Sequence, residues 1–554
     1  MKYCLIFLLA FSLSALVVVP QRSAFTEARG QVNARYVDNQ ILIKFKPEVE
    51  ATLDSPEMSD FIGRRHGTRS QSLREPRRGA QYLIELDGSL SVEEAVAQAA
   101  SDPRVEYAEP NYLLYPARTP DDALFSQQWA LYNTGISGQG TPGSDIGATR
   151  AWDYTTGSDD MVIAMVDTGV DLSHPDLAPN AWVNRGERAG NGIDDDNNGY
   201  VDDVNGWNFI RSRPTTYEGP DEDWHGTHVS GILGAAGNNG IGVSGVAWQV
   251  KIMSLKFIGA KTGNTADAVK AINYVIDQKR RGVNVRVINA SWGGAAESAS
   301  LKSAIVAAGN AGIVFVCAAG NGGPDERGDD LDATPAFPAA WSKDVSSIIA
   351  VAAIDSADKL ADFSNYGRTT VQVAAPGYLV LSTKPGGLYG LGNGTSMATP
   401  HVSGIAALVL SRQPSLSPAD VRQRIIKTAE PVVSLVSMVT GSGRANAYNA
   451  VTNTTQKAPS RPVIGSVYTN KKKVTVIGLG FVDQSSVIEV NGVPLSKLRY
   501  ENSTALFDGS ITEMSSKLGK STMREVFPSG VTVYVTVYNP ATGERSAPFP
   551  YFKN

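Results

Sequence analysis

The stretch VIAMVDTG at residues 162–169 decides the fold class predicted for this chain of 554 residues. Its five apolar residues do not alternate with polar ones, which is typical of a strand that is covered on both faces. Such strands form mainly parallel sheets, in which ligand-binding loops follow the carboxyl ends of the strands. Asp167 is therefore expected at the edge of the sheet where binding sites lie, although an Asp at this place often just caps the next turn.

The same pattern extends through residues 119–455, where apolar runs alternate with segments of helical character. This alternation predicts an α/β fold of three layers, with a mainly parallel central sheet between helices. The further strand candidates are residues 251–255, 285–289, 313–318, 347–352 and 371–374, and the helix candidates are residues 266–280 and 298–308.

Two smaller units flank this region. Residues 25–118 combine strand candidates with a helical segment, so we expect a compact α+β module there. Residues 461–554 carry short alternating strands and the turn signal Asn491-Gly492, which together predict a small β-sandwich. The bridge at residues 453–462 contains two prolines and is interpreted as a linker.

The first residues match an export signal. Lys2 gives a positive end, an apolar run covers residues 3–19, and Ser23-Ala24 offers small residues for cleavage. We therefore expect residues 1–24 to be a signal peptide and the mature protein to be secreted. A membrane anchor is the alternative, but the run is short for a spanning helix and no later stretch is apolar for long enough.

The composition excludes one class of partner and limits covalent cross-links. With a net charge of −5, the chain lacks the basic surface that phosphate binding requires, so we expect no nucleic acid partner. Cys4 lies in the signal segment, which leaves Cys317 as a lone cysteine in an apolar run, where a packed thiol is expected. Rigidity must then come from core packing or from bound metal rather than from a disulfide.

A second segment, DWHGTHVSG at residues 223–231, supplies a base. His225 and His228 are three residues apart and would share a helical face, which invites a zinc interpretation. Zinc proteases, however, have histidines four residues apart with a Glu after the first, and neither condition holds here. We assign the chemistry to His225, at the start of the helix, and interpret His228 as a buried histidine of the core.

Two glycine-rich segments complete the set of chemical groups. In GNGTSMATPH at residues 392–401, Ser396 stands at the start of a helix predicted to be buried on nearly all sides, where free N–H groups favour negative charge. A helix N-cap is the simpler role for such a serine, and the two roles can coexist. In AAGNGG at residues 318–323, Asn321 follows a strand and offers a neutral amide donor, although a plain turn residue would look the same.

Together these segments provide the serine, base, orienting carboxylate and amide donor that acyl transfer requires. In their order along the chain they resemble the subtilisin family of serine peptidases, over roughly residues 119–455. The resemblance implies that Ser396 is the nucleophile, His225 the general base and Asp167 its orienting partner, with Asn321 as an oxyanion donor beside the Ser396 N–H. The related serine-carboxyl peptidases use a Glu base, and His225 in its motif argues against that variant. The matching segments are residues 166–170, 225–231, 318–321 and 394–401.

The resemblance also implies two regions that contact polypeptide. Ser291, Trp292 and Gly293 correspond to an edge on which a peptide substrate adds as an extended strand, with ordinary packing as the alternative role for Trp292. Residues 25–118 correspond to an inhibitory propeptide, which would be removed by a cut within residues 112–118.

Calcium binding is predicted from an acidic insertion between Asp167 and His225. Oxygen ligands at alternate positions followed by glycine match the start of a calcium loop, but the final Glu of an EF-hand is missing and a solvated acidic loop is the alternative. The predicted ligands are Asp194, Asp196, Asn198, Asp202 and Asp203. A second calcium site is implied by the resemblance alone, and its ligands would be Asp176, Asn239, Ile241 and Val243, with Gln127 or Gln128.

We therefore expect a secreted, monomeric serine endopeptidase that hydrolyses extended polypeptides through an acyl-enzyme. It would be made as a self-processed precursor and inhibited by its own propeptide. The alternative is a catalytically inert binding or adhesion protein that works through residues 461–554, which resemble immunoglobulin-like sandwiches of the IPT/TIG kind. The complete set of catalytic groups favours the peptidase.

Overall fold

The computed structural model describes most of the chain, which divides into two compact units, Met1–Tyr115 and Pro116–Asn554. The expected signal segment 1–24 and most of the expected cleavage region 112–118 lie outside the described residues. The described residues are 36–46, 49, 55, 59–61, 67–72, 81–112, 119–136, 140–259, 262–323, 325–455, 459, 461–501 and 510–553.

In its described part, the first unit is a four-stranded antiparallel sheet with a helix packed on one face. Alternate residues of the first strand, Ile41, Ile43 and Phe45, point into the core and meet Tyr82 of the neighbouring strand. The prediction of an α+β module is confirmed. The strands are β1 (Tyr36–Phe45), β2 (Gly67–Ser72), β3 (Gln81–Leu86) and β4 (Val105–Tyr112), in the order β2-β3-β1-β4, and the helix is α1 (Val92–Ala100).

The second unit is built on a nine-stranded sheet, counted over the described residues, in which every neighbouring pair is parallel except the pair at one edge. The mainly parallel sheet predicted from the apolar runs is confirmed. From that edge the strands are β14 (Glu430–Pro431), β15 (Gly443–Arg444), β11 (Val373–Pro376), β10 (Ile348–Ile354), β9 (Val314–Ala318), β8 (Val285–Ala290), β5 (Gly157–Asp167), β7 (Gln249–Lys256) and β6 (Gly206–Asn208).

Helices cover both faces of this sheet. Successive residues of β5 point to opposite sides, so alternate residues belong to different cores. Ile163 and Met165 belong to the core on one face, whereas Ala164 and Val166 belong to the core on the other. A two-stranded hairpin, β12 (Val380–Lys384) and β13 (Leu388–Gly392), lies outside the sheet. The helices are α2 (Ala148–Ala151), α3 (Pro220–Gly234), α4 (Thr265–Arg280), α5 (Ala299–Asn310), α6 (Thr395–Arg412), α7 (Pro418–Lys427) and α8 (Ala447–Thr452).

Helix α6 is the central helix of the first of these cores. It is buried from Met397 to Leu410, as its run of Ala, Val, Ile and Leu residues predicts, and Pro400 lies inside it. Short 3-10 helices occur at Phe125–Gln127, Ala178–Asn180, Ala339–Lys343 and Val433–Leu435.

The last part of the second unit is a pair of antiparallel sheets around an apolar core, as predicted. Asn491 and Gly492 form the turn between two of its strands. Leu479 packs on Val436 of the larger part of this unit, and Arg368 forms an ion pair with Glu513 (3.4 Å). One sheet contains β16 (Val463–Thr469), β17 (Lys473–Val482), β20 (Leu498–Glu501) and β21 (Ser510–Lys517), the other contains β18 (Val487–Val490), β19 (Val493–Pro494), β22 (Thr532–Asn539), β23 (Glu544–Arg545) and β24 (Phe549–Phe552), and the helix is α9 (Lys520–Val526).

None of the helices in the described ranges combines the length and the apolar character that a bilayer crossing requires.

Candidate active site

Asp167 and His225 are joined by a hydrogen bond at the carboxyl end of β5. Asp167 is the last residue of this strand and is completely buried, and His225 lies in the second turn of α3. Asp167 Oδ1 accepts hydrogen bonds from His225 Nδ1 (2.7 Å) and from the Thr168 N–H (2.7 Å). Because Nδ1 faces a carboxylate, it carries the proton, and Nε2 is the basic nitrogen of the neutral ring.

The same carboxylate sets the protonation of the imidazole. Burial of the ring opposes protonation, but the negative charge and hydrogen bond of Asp167 prevail and raise the pKa of His225 above its ordinary value. The side chain of His225 is 20% exposed, so a substrate can reach it. His225 therefore has the two properties of a general base, a fixed orientation and an accessible ring.

His228 occupies a different environment although it lies on the same helix. It is completely buried, and its Nε2 contacts the carbonyl oxygen of Gly390 (2.9 Å). Burial lowers the pKa of His228 to about 4, so the ring is neutral at ordinary pH. These observations support its interpretation as a core histidine.

Ser396 is positioned by the end of β8. Its hydroxyl donates to the carbonyl oxygen of Ser291 (3.0 Å), and the Ser291 hydroxyl donates to the carbonyl oxygen of Ser396 (2.9 Å). These two bonds fasten the first turn of α6 to β8. Over the described residues, the Ser396 hydroxyl makes its hydrogen bond to Ser291 rather than to the His225 ring.

Asn321 is oriented by the residue that precedes Ser396. Its Oδ1 accepts hydrogen bonds from both the N–H (2.8 Å) and the hydroxyl (2.9 Å) of Thr395. The Thr395 oxygen in turn accepts from the Gly320 N–H (3.1 Å). Because the amide oxygen is held in this way, the NH2 group of Asn321 is the part of the side chain that remains for a ligand.

A small space beside Gly394 is bordered by two donors. A β-carbon placed on Gly394 would lie 3.3 Å from Asn321 Nδ2 and 3.6 Å from the Ser396 nitrogen. Gly394 has φ = 140°, which side chains rarely tolerate, so the backbone keeps this space open. An oxyanion in this place would meet both N–H groups, which is the arrangement that stabilises a tetrahedral intermediate.

Two residues that hold this site were not identified from the sequence. Thr395 could have been found, because a hydroxyl directly before the serine can reach a neighbouring loop. Asn365 gave no signal, because it lies in a loop far along the chain. Its Oδ1 accepts from the Gly322 N–H (2.8 Å) and its Nδ2 donates to the Ala319 carbonyl oxygen (3.1 Å), which fixes the backbone on both sides of Asn321.

The expected substrate edge, Ser291 to Gly293, lies beside Ser396, and two of its three residues also make structural contacts. Ser291 uses its side chain and carbonyl to hold Ser396. The Trp292 indole donates to the Val166 carbonyl oxygen (2.7 Å) and packs on Phe257, so it has at least a structural function. In the described part of the chain, the backbone of Gly293 has no hydrogen bond of its own, and it follows this strand end directly.

The acidic insertion brings three carboxylates together. One oxygen from each of Glu187, Asp194 and Asp196 lies within 4.8 Å of the others. Asp196 Oδ1 is buried and lacks a hydrogen-bond partner among the described residues, as an oxygen that awaits a cation would. Glu187 was not predicted, because it precedes the recognisable loop pattern.

The remaining predicted ligands of this loop have other partners. Asp202 accepts from the backbone N–H groups of Asn191 (3.1 Å) and Gly192 (2.9 Å), on another part of the loop. Asp203 is completely buried and accepts from Asn198 (2.8 Å), which also donates to Asp196 (3.2 Å). Burial raises the pKa of Asp203 to about 6. Asn198 thus links Asp203 to Asp196, one of the three clustered carboxylates.

The second expected calcium site is gathered around Asp176. Its carboxylate accepts from the Asn239 side chain (2.9 Å) and from the Val243 N–H (2.9 Å), and Asn239 in turn accepts from the Ile241 N–H (3.0 Å). The sequence missed Asp122, whose Oδ1 is buried without a partner among the described residues and whose pKa is raised by burial. A buried carboxylate beside a second one fits a cation.

The side chain of Gln128 binds the protein backbone near this site. It exchanges two hydrogen bonds with the backbone of Ser244, at 2.8 and 2.9 Å. Gln127 is the last residue of a short 3-10 helix that Gln128 caps. The placement of these residues leaves Asp122 as the better candidate to complete the oxygen set.

The chain is similar to known peptidases along most of its length. A model of the subtilase family matches residues 158–462, and a model of the fervidolysin N-terminal prodomain matches residues 24–111. A thermophilic serine proteinase from a Bacillus species is 34% identical over 75% of this chain and 88% of the relative. Thermitase from Thermoactinomyces vulgaris is 36% identical over 60% of this chain and 99% of the relative. An extracellular protease from Xanthomonas campestris is 34% identical over 67% of this chain and 63% of the relative.

The orientation of Asn321 gives a testable prediction. Thr395→Val removes one of the two bonds that hold the amide oxygen, at a cost of about 1 kcal/mol, so we expect kcat/KM for a peptide substrate to fall about fivefold. Thr395→Ser keeps the hydroxyl and is the matched control, expected to stay near the wild-type value. Equal activity of the Val and Ser variants would show that this bond does not orient the amide.

Proposed function

Since this chain belongs to the subtilase family of serine peptidases, we propose that it is a secreted endopeptidase that cleaves extended polypeptides through an acyl-enzyme on Ser396. The family makes it a serine endopeptidase, and the matching prodomain makes it a zymogen. An inert binding protein, the alternative considered from the sequence, is set aside by the peptidase relatives. The 2.7 Å bond between Asp167 and His225 is the observation that carries the proposed mechanism.

The proposed reaction begins with proton transfer from the Ser396 hydroxyl to Nε2 of His225, while Oγ attacks the substrate carbonyl carbon. Negative charge moves to the carbonyl oxygen, which occupies the space beside Gly394 and accepts hydrogen bonds from Asn321 and from the Ser396 N–H. The imidazolium then gives its proton to the leaving amine as the peptide bond breaks. A water molecule repeats the sequence on the acyl-enzyme and restores Ser396.

This mechanism requires one rearrangement of the resting site. The Ser396 hydroxyl must exchange the Ser291 carbonyl for His225 Nε2 when substrate binds. Catalytic hydrogen bonds are often made only in the complex with substrate, so the resting geometry is compatible with the reaction.

We propose that the substrate lies along the Ser291–Gly293 edge as an added strand. Among the described residues the backbone groups of Gly293 have no hydrogen-bond partner, which supports this proposal because an extended peptide can satisfy them with its own backbone. Such recognition depends on main-chain groups rather than on one side chain, which favours a general endopeptidase.

Secretion and self-processing are further parts of the proposal. The pattern of Lys2 and the apolar run 3–19 supports export, and the Xanthomonas relative is an extracellular protease by name. The prodomain relationship supports removal of residues 25–118 by the enzyme itself.

We also propose that calcium binds at two places. The oxygen-only donor sets around Asp196 and Asp122 are those that calcium prefers, and each contains a buried oxygen without a hydrogen-bond partner in the described ranges. Bound calcium would hold the insertion and the loop at residues 239–243 in place. It would stabilise the native state without taking part in the chemistry.

The first test of the proposed function compares the full-length precursor with its Ser396→Ala variant. We expect mass spectrometry to show that the wild-type protein loses its first hundred or so residues and that the variant stays intact, because without the hydroxyl no acyl-enzyme forms. Thr399→Ala removes a neighbouring hydroxyl of α6 and should still be processed. Removal of the prodomain from the Ser396 variant in a pure preparation would contradict the proposal.

Calcium binding is tested by thermal unfolding with calcium and with a chelator. Calcium at a hundredfold excess over its dissociation constant should add about 2.7 kcal/mol to the free energy of unfolding for each site. Asp196→Asn should lose part of this gain, whereas Asp202→Asn, outside the three-carboxylate cluster, should keep it. The proposal fails if calcium does not change the unfolding temperature of the wild-type protein.

A further inference from the structure

Lys256 is a completely buried lysine beside the catalytic carboxylate. It is the last residue of β7 and is paired in register with Asp167 on the neighbouring strand β5. A buried ammonium group is unfavourable unless hydrogen bonds and opposite charges replace its water. The partners of the Lys256 ammonium group therefore indicate the role of this buried positive charge.

The Lys256 ammonium group contacts two elements of the candidate site at once. Its Nζ donates to the Thr168 carbonyl oxygen, directly after Asp167, and to Asp223 Oδ1 (2.5 Å), two residues before His225. A longer contact reaches the Ile258 carbonyl oxygen (3.4 Å). One side chain thus ties the turn that follows Asp167 to the first turn of helix α3.

The turn and the helix are in close contact at the same point. The Gly226 N–H donates to Thr168 Oγ1 (3.0 Å), and a β-carbon on Gly226 would lie only 2.2 Å from the Gly169 carbonyl oxygen. The helix backbone therefore lies directly on the turn. Any change in the distance between Thr168 and Asp223 would move His225 relative to Asp167.

We propose that Lys256 is a positioning residue, which sets the distance and angle of the Asp167–His225 hydrogen bond by clamping the Thr168 carbonyl to Asp223. The inference rests on the proposed function of Asp167 and His225. Lys256 would thus be a third residue that Asp167 and His225 require, although it contacts neither the substrate nor the reacting atoms.

The alternative is that Lys256 only neutralises the acidic start of α3. Lys256 also lies 3.4 Å from Glu222 and 3.7 Å from Glu218, and Glu218 has further partners in Arg211 and Arg213. A test must therefore separate geometry from net charge. Charged and titratable groups on the elements that this clamp joins include Asp167 on β5, Lys256 on β7, Asp221, Glu222, Asp223 and His228 on α3, and Glu218 in the loop before α3.

The deciding variant is the double substitution Asp223→Asn with Lys256→Met. It removes one positive and one negative charge together, so the net charge near His225 does not change, and Glu218 keeps Arg211 and Arg213 as partners. Positioning predicts that kcat falls by about 10- to 100-fold while KM changes less than about twofold, since misplacement of a catalytic group affects the transition state. The matched control is Lys251→Met, which removes a more exposed lysine from the same strand.

The pH dependence of kcat/KM supplies a second readout. Asp167 raises the pKa of His225, so a looser hydrogen bond between the two residues would lower the pKa of His225. The acid limb of the profile of the double variant should therefore move to lower pH, and the downfield proton NMR signal of the His225 Nδ1–H should shift or broaden. A purely structural role leaves both unchanged and lowers only the unfolding temperature.

Labelling of Ser396 by a fluorophosphonate reagent separates the possible failures. Wild-type protein that does not react would overturn the proposed function itself. If wild-type and Lys251→Met react and the double variant reacts at the same rate with the same acid limb, the positioning role of Lys256 is overturned while the proposed function stands.

Should the double variant fail to fold, Lys256→Arg decides, because the larger planar guanidinium group changes the clamp without losing the charge. Labelling slowed at least threefold supports the role, and the wild-type rate overturns it.

Discussion

The hydrogen bond between Asp167 and His225 is the constraint on which the rest of the site depends. The carboxylate is completely buried, and a buried charge is tolerated only where hydrogen bonds replace its water. The His225 ring and the Thr168 N–H supply such bonds to Oδ1, each at 2.7 Å, whereas Oδ2 is buried without a hydrogen-bond partner among the described residues. The interaction thus links the end of the central strand to helix α3 and determines which nitrogen of the imidazole is basic.

The parallel sheet explains why distant residues converge on this bond. Strands β5, β8 and β9 are neighbours, and Asp167, Ser291 and Asn321 lie at or just beyond their carboxyl ends. Helix α6 is held to this edge through Ser291 and begins with the residue that orients Asn321. The backbone that carries these groups already belongs to the core, so the movement of the Ser396 hydroxyl is the main reorganisation that the proposed reaction requires.

The sequence was sufficient to predict the fold, and it pointed to Asp167, His225, Asn321 and Ser396 as candidates for the chemistry. Apolar runs such as residues 162–166 predict strands buried on both faces, and a serine at the start of a buried helix is conspicuous. The supporting residues were not predictable in the same way. Lys256 and Asn365 act through partners from other strands and loops, so their roles exist only once the chain is folded.

The proposed calcium sites show the same limit. Asp194 and Asp196 were predicted from local spacing and lie in the three-carboxylate cluster, whereas Glu187 and Asp122 approach their clusters from outside the recognisable motifs. The predicted Asp202 and Asp203 follow the local pattern but direct their oxygens to Asn191 and Asn198. Spacing along a loop thus finds acidic residues, and the folded backbone decides which of them meet.

The most direct test of the account is the rate of fluorophosphonate labelling of the matured protein as a function of pH, with the modified residue located by peptide mapping. The account predicts a single adduct on Ser396, formed at a rate that rises as His225 loses its proton, with a midpoint above the ordinary histidine value of about 6.5. An adduct on another residue, or a rate that does not depend on pH in this range, would contradict it.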